Sequence, residues 1–72
     1  MWIRYFIEIA PTPENPERAA DAASCIRFHA SYYRAFHADY PFRSGAEAVA
    51  AVLSREYDTL FIVRERDYSK VR

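Results

Sequence analysis

Two stretches of this chain alternate like β-strands, residues 2–10 and 57–65, and nearly everything between them has the composition of helix. In the first stretch Ile3, Tyr5, Ile7 and Ile9 alternate with Trp2, Arg4, Phe6 and Glu8. A strand of that pattern has one wholly apolar face and one that mixes aromatics with charges. In the second, Leu60 and Ile62 point one way and Phe61 and Val63 the other. A two-stranded sheet is marginal in water, and two helices cover only one of its faces. The face bearing Trp2, Arg4, Phe6 and Glu8 is therefore expected to need a partner, either a second copy of the chain in a homodimer or a foreign protein.

Length sharpens that need. A chain of 72 residues makes one domain and buries only about 60% of the surface its unfolded form exposes. So small a core rarely supplies more than about 3 to 5 kcal/mol, and chains of this size usually add a disulfide, a metal or oligomerisation. Cys25 is the only cysteine, which excludes a disulfide within the chain and suits a reducing compartment. No charged leader followed by an apolar stretch opens the sequence, and no run approaches the roughly 20 apolar residues that span a bilayer. The expectation is a soluble protein of the bacterial cytoplasm, with no membrane contact. Ten basic and ten acidic residues cancel, so there is no general pull toward nucleic acid and no direct contact with it is expected.

Pro11, Pro13 and Pro16 make a stiff connection after the first strand. Asn15 is then a good N-cap, Pro16 fits the first helical position, and Glu17 and Asp21 suit the positive end of the helix dipole. The spacing predicts one helix over residues 16–39, with Ala22, Cys25, Ile26, His29, Tyr33, Phe36 and Tyr40 on one stripe and Phe28 and Tyr32 on its flank. After a turn at residues 40–43, Ser44 and Glu47 have the spacing of a capping box. A second helix is predicted from about Gly45 to about Arg55, burying Val49, Val52 and Leu53. Residues 66–72 read as a polar tail that frays. The predicted fold is α+β: a two-layer β-α-α-β unit with two antiparallel strands and two helices packed on one face.

Three groups of residues carry potential chemistry. Cys25 and His29 fall on one helix face, with His37 two turns beyond His29, which is the spacing of a thiol nucleophile pair or half a zinc site. Four zinc ligands are lacking, and one glycine offers little for an oxyanion loop, so a buried thiol and a core histidine bonded to Tyr5 or Tyr33 are expected. No catalytic residue, metal or cofactor follows. Arg27 and Arg34, with Phe28 or Tyr32 to stack on bases, have the pattern of a nucleic-acid contact, although a solvated helix face gives the same pattern. Glu14, Glu17 and Asp21, with Glu8 nearby, form an acidic cluster able to meet an arginine-rich groove, a pattern that ordinary dipole complementarity also produces.

Trp2, Arg4, Phe6 and Glu8 remain as the leading interface set, with Phe61 or Val63 expected as cross-strand neighbours, because Trp, Tyr and Arg dominate interface anchors. The alternating charges of Arg64, Glu65, Arg66 and Asp67 suit the protected end of an edge strand. A free-standing, aromatic-rich strand-helix-helix-strand chain with an acidic cluster at Glu14, Glu17 and Asp21 resembles the small phage-encoded anti-CRISPR proteins. The resemblance rests on size and layout over the whole chain and on no motif. It implies a non-enzymatic inhibitor that binds a CRISPR effector complex directly and blocks its target DNA or nuclease recruitment. The neutral net charge departs from the strongly acidic DNA mimics of that group, so any mimicry would be local.

Overall fold

The computed structural model describes residues 2–10 and 16–70. Along the chain run β1 (Ile3–Ile9), α1 (Pro16–Cys25), a 3-10 turn (Ile26–Phe28), α2 (Ala30–His37), β2 (Asp39–Tyr40), α3 (Arg43–Tyr57), β3 (Phe61–Asp67) and a second 3-10 turn (Tyr68–Lys70). The class is α+β as expected, with three strands and three α-helices in place of two and two. β1 lies at the centre of an antiparallel sheet ordered β2-β1-β3. Its register with β3 sets Ile7 opposite Val63 and Ile9 opposite Phe61. These residues face the helices, because Ile7 and Phe61 are buried in one cluster with Ala22, Ile26, Ala50 and Leu53, and Ile9, Val63, Tyr32, Phe36, Tyr40, Val49 and Tyr57 pack around it.

The single long helix predicted over residues 16–39 is broken. A straight helix of 24 residues would run about 36 Å, whereas a seven-residue strand spans only about 24 Å. Breaking the helix at the 3-10 turn and at extended His29 (φ −116°, ψ 98°) lets α2 return across the sheet. The His29 ring caps the new helix: its Nδ1 accepts the Tyr32 N–H at 3.3 Å, and the two rings stack 4.0 Å apart. The break shifts the buried stripe. Tyr32 turns inward against Tyr57, with ring centroids 6.0 Å apart, while Tyr33 stays 44% exposed. His29 and Cys25 are both exposed and not core residues.

Two residues then leave α2 as β2, too short to be recognised in the sequence, where Asp39 and Tyr40 fall in the helix end and the turn. Tyr40 pairs with Tyr5, and its hydroxyl donates to the Ala35 carbonyl at 2.6 Å. Burial pushes this phenol's pKa above its ordinary value. α3 begins earlier and ends later than predicted. Its N-cap is Phe42, with no side-chain cap, so Ser44 and Glu47 do not form a capping box; Glu47 pairs instead with Arg43 at 3.7 Å. α3 buries Ala46, Ala50 and Leu53, the two small alanines bringing it close to the sheet, while Val52 is turned 41% out to solvent. Asp58, in the left-handed region at φ 51°, terminates the helix and pairs with Arg18 of α1. Asp tolerates that conformation better than most residues.

β3 therefore starts at Phe61 and not at Tyr57, which belongs to α3. Ser54 joins the two elements: its Oγ donates to the Ala50 carbonyl at 2.7 Å and accepts the Phe61 N–H at 2.8 Å. One hydroxyl thus satisfies a donor on the outer edge of the sheet. Arg66 and Asp67 complete β3, Tyr68–Lys70 form the turn beyond it, and the Tyr68 N–H donates to the Trp2 carbonyl at 2.8 Å. The connection over residues 11–15, with the expected Asn15 cap and Glu14, lies outside the described residues.

Candidate functional site

Alternation along β1 puts Arg4, Phe6 and Glu8 on the sheet face away from the helices. Register sets Arg66 opposite Arg4, Arg64 opposite Phe6 and Ile62 opposite Glu8. Phe61 and Val63, expected beside Trp2 and Phe6, lie on the other side in the core. The correction follows from strand parity: residues opposite an even-numbered position of β1 are even-numbered in β3.

Two arginines directly opposite one another repel, and the face resolves this by turning them apart. Arg4 reaches β2, where its Nε and Nη2 each donate to an Asp39 carboxylate oxygen at 3.2 Å. This forked contact lowers the Asp39 pKa below its ordinary value of 3.8, mainly through the hydrogen bond. Arg66 swings over the Phe6 ring, 5.1 Å from its centroid, and lies 5.9 Å from that of Tyr68. Arg64 donates from Nε to Glu8 Oε2 at 3.2 Å. Trp2, 61% exposed, tilts against Tyr68 with ring centroids 5.4 Å apart. Trp2, Phe6, Arg66 and Tyr68 thus form one aromatic corner, and ion pairs flank it.

The expected site residues divide between the two layers. Trp2, Arg4, Phe6 and Glu8 share the open sheet face. Glu17 and Asp21 are exposed on α1, in the helix layer, and make no ion pair among the described residues. Glu14 lies outside them. Asp39, Ile62, Arg64, Arg66 and Tyr68 were absent from the sequence-derived set, although the parity of β3 would have identified three of them once its start was known.

The Cys25, His29 and His37 set does not converge. Cys25 ends α1, the His29 Nδ1 is engaged as a cap, and His37 sits edge-on to Tyr33 at 4.4 Å and to Phe36 at 5.0 Å. Among the described residues no three His, Cys, Asp or Glu side chains are grouped to hold a metal ion, and no helix is long and apolar enough to cross a membrane. No protein-family model matches this chain, and no curated protein or solved structure matches it either.

Proposed function

We propose that the chain is a non-enzymatic protein-binding inhibitor that docks through its open sheet face. The observation that carries this reading is the aromatic corner, in which a largely exposed Trp2 rests on Tyr68 beside Arg66 over Phe6. Large side chains held in place by one another lose little freedom on binding, and Trp, Tyr and Arg are the residues that anchor interfaces. The charges on this face also favour a foreign partner over a second copy. Arg4 and Arg64 are matched by Asp39 and Glu8, which leaves Arg66 without a carboxylate among the described residues. Stacking two copies face to face would bring two such cations together, whereas a partner with an apolar patch beside a carboxylate would satisfy both features.

In its specific form, drawn from the resemblance to anti-CRISPR proteins, the partner is a bacterial CRISPR effector complex and the consequence is blocked DNA targeting. The test is binding of purified effector complexes to wild-type, Trp2→Ala and Phe6→Ala protein, with DNA cleavage or interference as the readout. Wild type should inhibit in stoichiometric amounts, and both variants should inhibit at least tenfold less well while melting normally. Full effector activity in excess wild-type protein would end the anti-CRISPR form. A shift from dimer to monomer in light scattering on mutation of Trp2 would replace the foreign partner with a second copy.

A further inference from the structure

Net neutrality conceals a sorted charge distribution. Among the described residues, Arg4, Arg18, Arg43 and Arg64 are in ion pairs and Arg66 lies over aromatic rings. Arg27, Arg34 and Arg55 have no such partner. Arg55 lies on α3 beside a surface that Glu47 also lines, whereas Arg27 and Arg34 line one hollow without a carboxylate among its lining residues. That hollow, of about 600 Å³, is walled by Arg27, Ala30, Tyr33, Arg34, His37 and Ala38. It adjoins a second of about 680 Å³ that shares Arg27, Tyr33 and His37 and continues past Phe36 to Phe6, Ile7, Glu8 and Ile9 of β1. Both volumes fall within the range of about 300 to 1,000 Å³ usual for small-ligand clefts.

No carboxylate of the described residues lines the first hollow, and two acidic residues beside it or the second are engaged elsewhere. Glu8, on the wall of the second, is held by Arg64, and Asp39, which follows Ala38, is held by Arg4. Two guanidiniums, an imidazole and the face of Tyr33 are thus gathered around one concavity with no carboxylate among its described lining residues. Arg27 lies within the single 3-10 turn and Arg34 in the last turn of α2, helix ends whose partial negative charge tolerates cations. The break at His29 contributes too: it frees Tyr33 from the buried stripe and leaves its ring at the surface.

We propose that this hollow is a binding site for a phosphate carried on a planar base, that is, a nucleotide, either free or within a single strand. Arg27 and Arg34 hold the phosphate oxygens, and Tyr33, buttressed edge-on by His37, stacks the base. The first hollow shares no lining residue with the open sheet face, so the proposal stands or falls without the inhibitor reading. An acidic peptide would satisfy the guanidiniums but would leave Tyr33 without a planar partner.

Binding of a labelled oligothymidylate and of thymidine monophosphate at low salt tests the proposal. Arg27→Ala, Arg34→Ala and Tyr33→Ala should each weaken binding about tenfold, with Arg55→Ala as the control within twofold of wild type. All four residues are exposed, and unchanged melting curves verify the fold. For the strand, log K should fall against log salt with a slope of about −1.4, reduced by about 0.7 on loss of either arginine. Equal affinity for both ligands assigns the site to free nucleotides, and preference for the oligonucleotide assigns it to single strands; either supports the proposal. Absence of binding to both would overturn it. So would equal losses in the Arg55→Ala variant, which mark diffuse attraction, or competition by polyglutamate as strong as by the oligonucleotide.

Discussion

The open sheet face and the outer face of α2 carry the same residue types, arginine beside exposed aromatics, yet they treat their cations oppositely. On the sheet, Arg4 and Arg64 each have a carboxylate 3.2 Å away and Arg66 has the Phe6 ring. Among the described residues, Arg34 on α2 and Arg27 on the turn before it have neither. The difference teaches that a net charge of zero constrains little about local recognition: one surface has settled its charges internally and presents aromatics, while the other presents the charges themselves. Cross-strand neighbours lie opposite one another whatever their sign, so a sheet must pair or separate its charges. A helix face of eight residues faces no such demand.

The largest expected effect removes the support that both surfaces share. Leu53 is fully buried at the centre of the core, so Leu53→Ala should cost about 2 to 5 kcal/mol. In a chain this small that is most of the stability, and urea unfolding should show both surfaces failing together. Ser54→Ala comes next. It strips the Phe61 N–H of its acceptor, which should cost about 1 to 3 kcal/mol. Hydrogen exchange should quicken first at Phe61, leaving the Arg27 and Arg34 hollow untouched.

Smaller effects separate the two surfaces directly. Arg64→Ala breaks an exposed ion pair and should lower stability by less than about 1 kcal/mol. Arg34→Ala breaks none and should leave the melting curve within about 0.5 kcal/mol of wild type. Equal losses from the two substitutions would contradict the contrast. The smallest effect is on acid stability. Because Arg4 lowers the folded pKa of Asp39, the pair's contribution is present above about pH 3.8, the ordinary value, and is lost as pH falls further. Asp39→Asn should therefore lower stability slightly and evenly above that pH, pH 9 included, and converge on wild type as the pH falls below it.

What the sequence revealed follows from how local each signal is. The two faces of β1 were legible because period-2 alternation over residues 3–9 depends on nothing remote, and the antiparallel pairing with β3 followed from two strong strands. The break at His29 was not legible, since neither glycine nor proline marks it and the capping of Tyr32 by an imidazole leaves no distinctive pattern. From that one omission came the misplaced Tyr33, His29 and Cys25. Tyr57 reads as a strand residue because aromatics favour strands, whereas it lies in α3 and packs on Tyr32 and Phe61. β2 is two residues long, below any periodicity. The acceptors that neutralise the sheet's arginines were equally hidden, because Asp39 lies 35 residues from Arg4 and Glu8 lies 56 from Arg64.

Those separations govern how the molecule comes into being. β1 pairs with β3 across the entire helical layer, so no hairpin can nucleate this sheet and closure must wait until both strands are available. The helices can form on a growing chain while the hydrophobic side of β1 lacks its neighbour. The corner built from Trp2, Phe6, Arg66 and Tyr68 is therefore the last part to appear, and a nascent chain has no docking surface until its final strand has been made.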